Sequence, residues 1–359
     1  MLVKLPANVS ANLPFNVLAD LPFHLLKELR VKHFSHNDYD GVGCGILTKL
    51  AFKNRNVRYL DYKRVDEEVQ RFIINGSYKK YDVVLITDIF ISEENCKALD
   101  KLHKNKDIIV IYIDHHATEK RPWILEYEWA LIESETSKTS FSTPVDERMD
   151  AKTSATSLLF EYFMSQNVKF NANLKAVKKF VESVRRYDTW EWHKVYNDIE
   201  PNRWNALLYL YGRTDFEAMV LEKLKTEYTF NQSELTIIQI EEKRIENYIR
   251  GKEQTIIEKN ILGHTAGVIF AEQYHSELGN VLAERRPDLD FIIIINPSRT
   301  ISYRGVKDDI HIGNDIAYVF RGGGHPQSAG SPIDKYLINT FIDMLFGETQ
   351  KRENYPLSA

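Results

Sequence analysis

Val31-Lys32-His33-Phe34-Ser35-His36-Asn37-Asp38-Tyr39-Asp40-Gly41 is the stretch that decides the fold. Apolar positions alternate through residues 31–35, which predicts a short strand. The polar segment after it carries His36, Asp38 and Asp40 into a glycine-containing turn, and a helix is expected over Val42–Phe52. Similar units follow. A strand is expected at Val57–Tyr62, a helix at Val65–Ile74 and a buried-type strand at Val83–Thr87. The next helix starts near Ser92, where Ser-x-x-Asn forms half a capping box, and a second buried-type strand follows at Ile108–Ile113. Short apolar strands alternating with helices imply a parallel sheet covered on both faces.

Outside this region the pattern changes. Residues 1–30 read as a proline-punctuated extension ending in a helix-like piece over 23–29. From Lys152 to about Tyr187 apolar residues recur at helical spacing, as in Ala155, Leu158, Leu159, Tyr162 and Phe163. Residues 214–258 are polar and helical and read as a connector, after which mixed strands and helices return (266–270, 291–295, 301–304).

A length of 359 residues favours two domains, and 43% hydrophobic with 27% charged residues suits ordinary buried cores under a soluble surface. No apolar run reaches membrane-span length, and the N-terminus lacks a signal-peptide profile. Two cysteines, Cys44 and Cys96, cannot build a disulfide framework, so a reducing, cytoplasmic setting is expected. The net charge of −4 gives no Lys/Arg excess for gripping a long duplex, and leans towards short or small phosphorylated substrates.

Three predicted strands end in acidic or imidazole residues: His36, Asp38 and Asp40 after the first, Asp88 after the Val83 strand, and Asp114-His115-His116 after the Ile108 strand. The carboxyl ends of strands in an open parallel sheet line one crevice, so these groups should converge. Singly, Asp40-Gly41 reads as a turn, Asp88 as a helix cap and His115-His116 as surface residues. Together they form the oxygen and imidazole set that divalent cations prefer, and they outnumber one ion's needs. Two ions roughly 3.5–4 Å apart, bridged by one carboxylate, would suit phosphoryl displacement. Asp188 is a further ligand candidate, or a helix-end partner of Arg185 and Arg186; its position alone does not decide. Gly322-Gly323-Gly324-His325 could form a backbone nest for phosphate, with Arg304 near Ser302 adding bidentate contacts; otherwise it is a flexible hairpin.

These residues resemble the DHH phosphoesterase superfamily, whose name-giving triad stands here as Asp114-His115-His116. Residues 35–41 look like its first motif, Thr87-Asp88 its second, Arg186-Tyr187-Asp188 its fourth, and Gly322–His325 the signature of its associated C-terminal domain. The resemblance spans about 31–332. It implies that His36, Asp38 and Asp188 bind one metal and Asp40 and His115 another, with Asp88 bridging. Asp114 would orient its neighbours and His116 would face the scissile phosphate. Ser302, Arg304, Gly322, Gly323, Gly324 and His325 would hold substrate, and Thr153-Ser154-Ala155-Thr156 resembles a family segment of unassigned role.

Within the superfamily the spacing is most similar to the nanoRNase B type of oligoribonucleases. The implied fold is α/β: an extension (1–30), a Rossmann-like parallel-sheet catalytic domain (31–200), a helical connector (201–258) and a smaller α/β substrate-binding domain (259–350). The implied reaction is hydrolysis of short oligoribonucleotides to nucleoside 5′-monophosphates with two divalent cations, Mn²⁺ first and Mg²⁺ or Co²⁺ as alternatives. Phosphoadenosine phosphate and cyclic or linear dinucleotides are the alternative substrates, a catalytically inactive nucleotide-binding regulator is the rival class, and a homodimer is compatible. Trp190, Trp192, Tyr303 and Tyr318 are candidate base-stacking platforms.

Overall fold

The computed structural model describes residues 28–116, 118, 121–133, 151–297, 300–333 and 335–346; the expected extension lies outside these apart from residues 28–30. Strand β1 (Arg30–His36) pairs with β2 (Asn54–Leu60) on one side and β3 (Val83–Thr87) on the other. Strands β4 (Ile109–Asp114) and β5 (Ala130–Ile132) complete a wholly parallel sheet of order β2-β1-β3-β4-β5. Chain order reverses between β1 and β3, which opens a crevice above their carboxyl ends.

Alternate side chains leave a strand on opposite faces. Val31, Leu85, Ile111 and Ile113 therefore enter one core, while Phe34, Val84, Ile86 and Val110 enter another. The first is covered by α1 (Tyr39–Ala51), α4 (Ala155–Ser165) and α5 (Leu174–Asp188). The second is covered by α2 (Val65–Ile74) and α3 (Glu93–Lys104), whose Val69, Phe72, Cys96 and Leu99 are buried. β3 and β4 are buried throughout, as their continuous apolar runs require. α3 begins after Ser92, whose hydroxyl accepts from the Asn95 amide.

Several boundaries differ from expectation. α1 begins at Tyr39 because Asp38 serves as its N-cap, accepting from the Gly41 amide at 3.0 Å. The helical region after Lys152 is two helices, separated at 166–173, and a short helix α6 (Glu191–Lys194) follows. The chain forms two units, one to Ile238 and one from Gln239, so the expected connector is divided. Helices α7 (Glu200–Tyr211) and α8 (Arg213–Lys223) put Trp204, Leu207, Phe216 and Val220 into the first core. Their polar faces, dense in sequence, concealed those spaced apolar anchors. Helix α9 (Gln232–Glu253) follows.

The second unit is a six-stranded mixed sheet of order β10-β11-β9-β8-β7-β6, comprising β6 (Ile257–Ile261), β7 (His264–Phe270), β8 (Phe291–Ile295), β9 (Thr300–Gly305), β10 (Gly323–Gly324) and β11 (Ser328–Pro332). Helix α10 (His275–Arg285) covers one face with Leu278 and Leu282 against Ile292 and Ile294, and α11 (Lys335–Phe346) ends the described chain. No described helix is long and apolar enough to cross a membrane.

The turn between β1 and α1 has no room for a side chain at Gly41, where a Cβ would strike the main chain of His36. Gly41→Ala is expected to lower stability by about 1–3 kcal/mol, as overpacking against unyielding atoms does. Urea denaturation checks this; an unchanged midpoint would show that the turn is looser than described.

Candidate metal centre

Each acidic or imidazole group is delivered by a strand end or helix end. His36 closes β1 and Asp38 caps α1, with His36 Nδ1 and Asp38 Oδ2 2.8 Å apart. Asp40 lies in the first turn of α1 and is buried. Its two oxygens accept from the amides of Ala155 (2.7 Å) and Thr156 (2.9 Å), at the N-terminus of α4. A helix N-terminus stabilises a carboxylate there, so the Thr153–Thr156 segment anchors Asp40. Sequence reading left that segment without a role.

Asp88 sits directly after β3 with φ 57°, a left-handed conformation that Asp tolerates better than most residues. Its Oδ2 lies 3.8 Å from His36 Nδ1, and its Oδ1 lies 3.6 Å from His115 Nε2. One carboxylate thus faces two separate groups: His36 with Asp38, and Asp40 with His115 and Asp188. Asp188, the last residue of α5, places Oδ2 3.3 Å from His115 Nε2. The resemblance, by contrast, implied a grouping of Asp188 with His36 and Asp38. The alternative helix-end role for Asp188 also loses its partners. Arg185 pairs with Glu182 and Glu191, and Arg186 with Glu182 and Asp198.

Asp114 orients rather than joins the two groups. It accepts from His116 Nδ1 (2.6 Å), Tyr112 Oη (2.9 Å) and the His115 amide (2.9 Å), and Arg121 lies 3.8 Å away. Burial would raise its pKa, but His116, His115 and Arg121 hold it well below the usual carboxylate range. Burial likewise opposes the His116 imidazolium, yet the Asp114 carboxylate lifts its pKa to about 9. His115 goes the other way: burial and the neighbouring His116 lower it, leaving a neutral ring with a lone pair to offer. Tyr112 and Arg121 escaped sequence reading because neither lies in a motif.

The protein without cations carries an unresolved electrostatic load. Burial, with Asp38, Asp40 and Asp188 alongside, pushes the Asp88 carboxyl well above its usual range; Asp188 is raised by burial and by Asp40 and Asp38. Within the centre, Asp88 Oδ2, His115 Nε2 and Asp188 Oδ2 are buried without a hydrogen-bond partner, and His36 Nδ1 has only the Asp38 carboxylate beside it. All are lone-pair donors converging on shared points. Buried polar atoms are seldom left unpaired, and the arrangement fits a pair of divalent cations.

In the second unit, Ser302 and Arg304 lie on β9 opposite Gly330 and Ser328 of β11, and Gly323 pairs with Gly330. The glycine loop is thus one strand away from Ser302. It is not the open nest expected from its sequence. The Gly322 amide donates to Ala317 O (2.8 Å) and the His325 amide to Ser328 O (2.7 Å). The glycines serve close packing instead: Gly324 has φ 150°, and a Cβ on Gly313 would strike its main chain. Arg304 crosses α10 at Gly279 and donates to Ser276 Oγ (3.1 Å), and the His325 side chain is exposed.

No family model matches the chain. The oligoribonuclease NrnB of Bacillus subtilis (strain 168) is 35% identical over 319 residues, 87% of this chain and 75% of that protein. The chain belongs to the NrnB-like branch of the DHH phosphoesterases. A 3′,5′-cyclic-nucleotide phosphodiesterase of Helicobacter pylori (strain ATCC 700392 / 26695) is 20% identical, covering 86% of this chain and 94% of that one. Among solved structures, a DHH domain from a member of a ribosomal-protein family aligns with a TM-score of 0.55 at 12% identity, over 93% of this chain and 89% of that one. RecJ of Thermus thermophilus, solved with Mn²⁺, gives 0.50 at 15% identity, over 95% and 54%. They show that this DHH phosphoesterase shares its fold with both.

Asp88 is where repulsion and ligand geometry meet. Its folded pKa lies above the unfolded value, so the folded state binds its proton more tightly and metal-free stability falls as pH rises through that range. Asp88→Asn, which also tolerates φ 57°, is expected to raise the stability of the metal-free protein at pH 7. The same variant should lose most of the melting-temperature rise that Mn²⁺ gives the native chain. Thermal melts with chelator and with Mn²⁺ check both; a variant that Mn²⁺ stabilises as strongly as the native protein rules out the shared-ligand role.

Proposed function

We propose that this DHH phosphoesterase is an oligoribonuclease that hydrolyses very short RNA to nucleoside 5′-monophosphates. The observation that carries the reading is Asp88, whose two oxygens face two ligand groups at once. Identity of 35% to an oligoribonuclease supports the substrate class. His36, Asp38 and Asp88 would hold one cation, and Asp40, Asp88, His115 and Asp188 the other. Mn²⁺ is the preferred ion, with Mg²⁺ or Co²⁺ able to occupy the same oxygen and imidazole set. When bound, such a pair supplies Lewis-acid polarisation of the phosphate and lowers the pKa of attacking water.

The chain's own residues do the rest. The Ala155 and Thr156 amides hold Asp40 in place. Asp114 engages His116 Nδ1, so Nε2 is the atom left to face substrate. Water attacks phosphorus and releases a proton to solvent, the bond from phosphorus to the 3′ oxygen breaks, and His116 gives the departing oxygen a proton from Nε2 and regains one from solvent. The 5′-phosphate stays with the released nucleotide. Ser302, Arg304, Gly322, Gly323, Gly324 and His325 are proposed as substrate-binding residues of the second unit, with Arg304 and His325 as the groups that can donate to phosphate. We assign the enzyme to the cytoplasm, where short RNA accumulates as a product of RNA decay.

Removal of the proton donor should cost about 10²- to 10⁴-fold in kcat. For His116→Ala that loss is expected on diribonucleotides and should shrink on a phosphodiester with a nitrophenolate leaving group, which needs no proton. Equal losses on both would take the proton-donor role from His116. A panel of RNA of about two to twenty nucleotides, phosphoadenosine phosphate and a cyclic dinucleotide tests the substrate class. Fastest turnover of the shortest RNA is expected. Preference for the cyclic dinucleotide would favour that alternative substrate, and preference for an added 3′,5′-cyclic mononucleotide would favour the activity named for the Helicobacter pylori relative. His325→Ala should raise KM more than it lowers kcat.

A further inference from the structure

Two aromatic residues beside the metal centre have no part in either core. Tyr62 follows β2 and Phe90 follows β3, the strands flanking β1, and their rings meet at a centroid distance of 4.8 Å. Tyr62 is 40% exposed and Phe90 37%. Large aromatic side chains this accessible, next to buried charged groups, leave apolar surface that the fold does not use. Tyr62 also lies 4.9 Å from the His36 ring, and its hydroxyl is 3.5 Å from His116 Nε2. The Arg121 guanidinium stacks 3.9 Å from the Phe90 centroid while its other end leans towards Asp114.

We infer that Tyr62 and Phe90, rimmed by Arg121, form a nucleobase-stacking shelf for a nucleotide flanking the scissile phosphate. The inference rests on reading the centre as a site for short RNA. Three facts join here. The shelf is apolar and accessible, two rings inclined at 34° to each other, and offers aromatic faces on which any base can stack. It begins at the ring of a proposed metal ligand, His36, and at the nitrogen proposed to face the leaving oxygen, so a nucleotide on it keeps its phosphate at the centre. Arg121 adds a planar cation, which stacks on bases as well as on Phe90. Stacking makes no hydrogen-bond readout, so the shelf would accept all four bases with a purine preference.

The platforms expected from sequence are less suited. Tyr303 is buried and bonds to Ser331, Trp192 is nearly buried, and Trp190 packs edge-on against it. Tyr62 went unnoticed because it reads as the end of the expected strand Val57–Tyr62, and Phe90 because it is a lone aromatic just past β3.

The test uses the full-length native protein with Mg²⁺ and the variants Tyr62→Ala, Phe90→Ala and Tyr62→Phe. The first readout is binding of 2-aminopurine riboside 5′-monophosphate, whose fluorescence falls on stacking and which needs no turnover. Quenching is expected with the native chain and Tyr62→Phe, and the two alanine variants should weaken binding about tenfold. The second readout is KM for diribonucleotides carrying an abasic residue at one end or the other. The alanine variants should raise KM for the intact dinucleotide and for one abasic form, and lose that effect for the form lacking the shelf-bound base. Absence of quenching with the native chain, or variants that match it in both readouts, overturns the shelf. Quenching without any RNA hydrolysis would sink the oligoribonuclease reading and leave the shelf standing.

Discussion

Five buried or half-buried carboxylates converge above the ends of three parallel strands, and the rest of the first unit exists to keep them there. Like charges at this spacing in a water-poor site repel strongly. Only part of that repulsion is met internally: Asp40 by the α4 N-terminus, Asp38 by His36 and the Gly41 amide, Asp114 by His116, Tyr112 and Arg121. Asp88 and Asp188 have no such relief, and their unpaired oxygens face shared points. Cations complete the charge balance, and the fold holds the gap open for them.

The architecture makes this cheap to position. β1, β3 and β4 are adjacent, so His36, Asp88 and Asp114 arrive at one edge without long loops. The crossing point of chain order falls between β1 and β3, the strands that carry Asp38 and Asp88. Backbone geometry finishes the task through Gly41, which lets α1 start against His36, and through the left-handed turn at Asp88. Both of these local departures sit at the centre, as expected where function overrides ordinary preference.

Much of this was legible beforehand. The helix Val65–Ile74 and the strands Val83–Thr87 and Phe291–Ile295 match because their apolar periodicity is uninterrupted and their flanks are polar. The cluster was legible as a candidate ligand set because turns, caps and surface roles cannot account for so many acidic and imidazole residues placed directly after strands. What escaped needed the third dimension. The connector reading failed for 201–238, since four well-spaced apolar residues can bury a helix that is polar overall. The pairing of Asp188 depended on where α5 ends relative to β4. The glycine loop read as an anion nest because sequence shows where glycines permit a nest, and only the hydrogen bonds of Gly322 and His325 show the amides already committed.

The central claim is that two cations share Asp88. Titration of the metal-free protein with Mn²⁺, followed by electron paramagnetic resonance and bound-metal analysis, tests it without reference to substrate. Two ions per chain with an exchange-coupled signal are expected, collapsing to an uncoupled signal in Asp88→Asn. A single ion, or two that never couple in the native chain, would contradict the shared carboxylate and the account built on it.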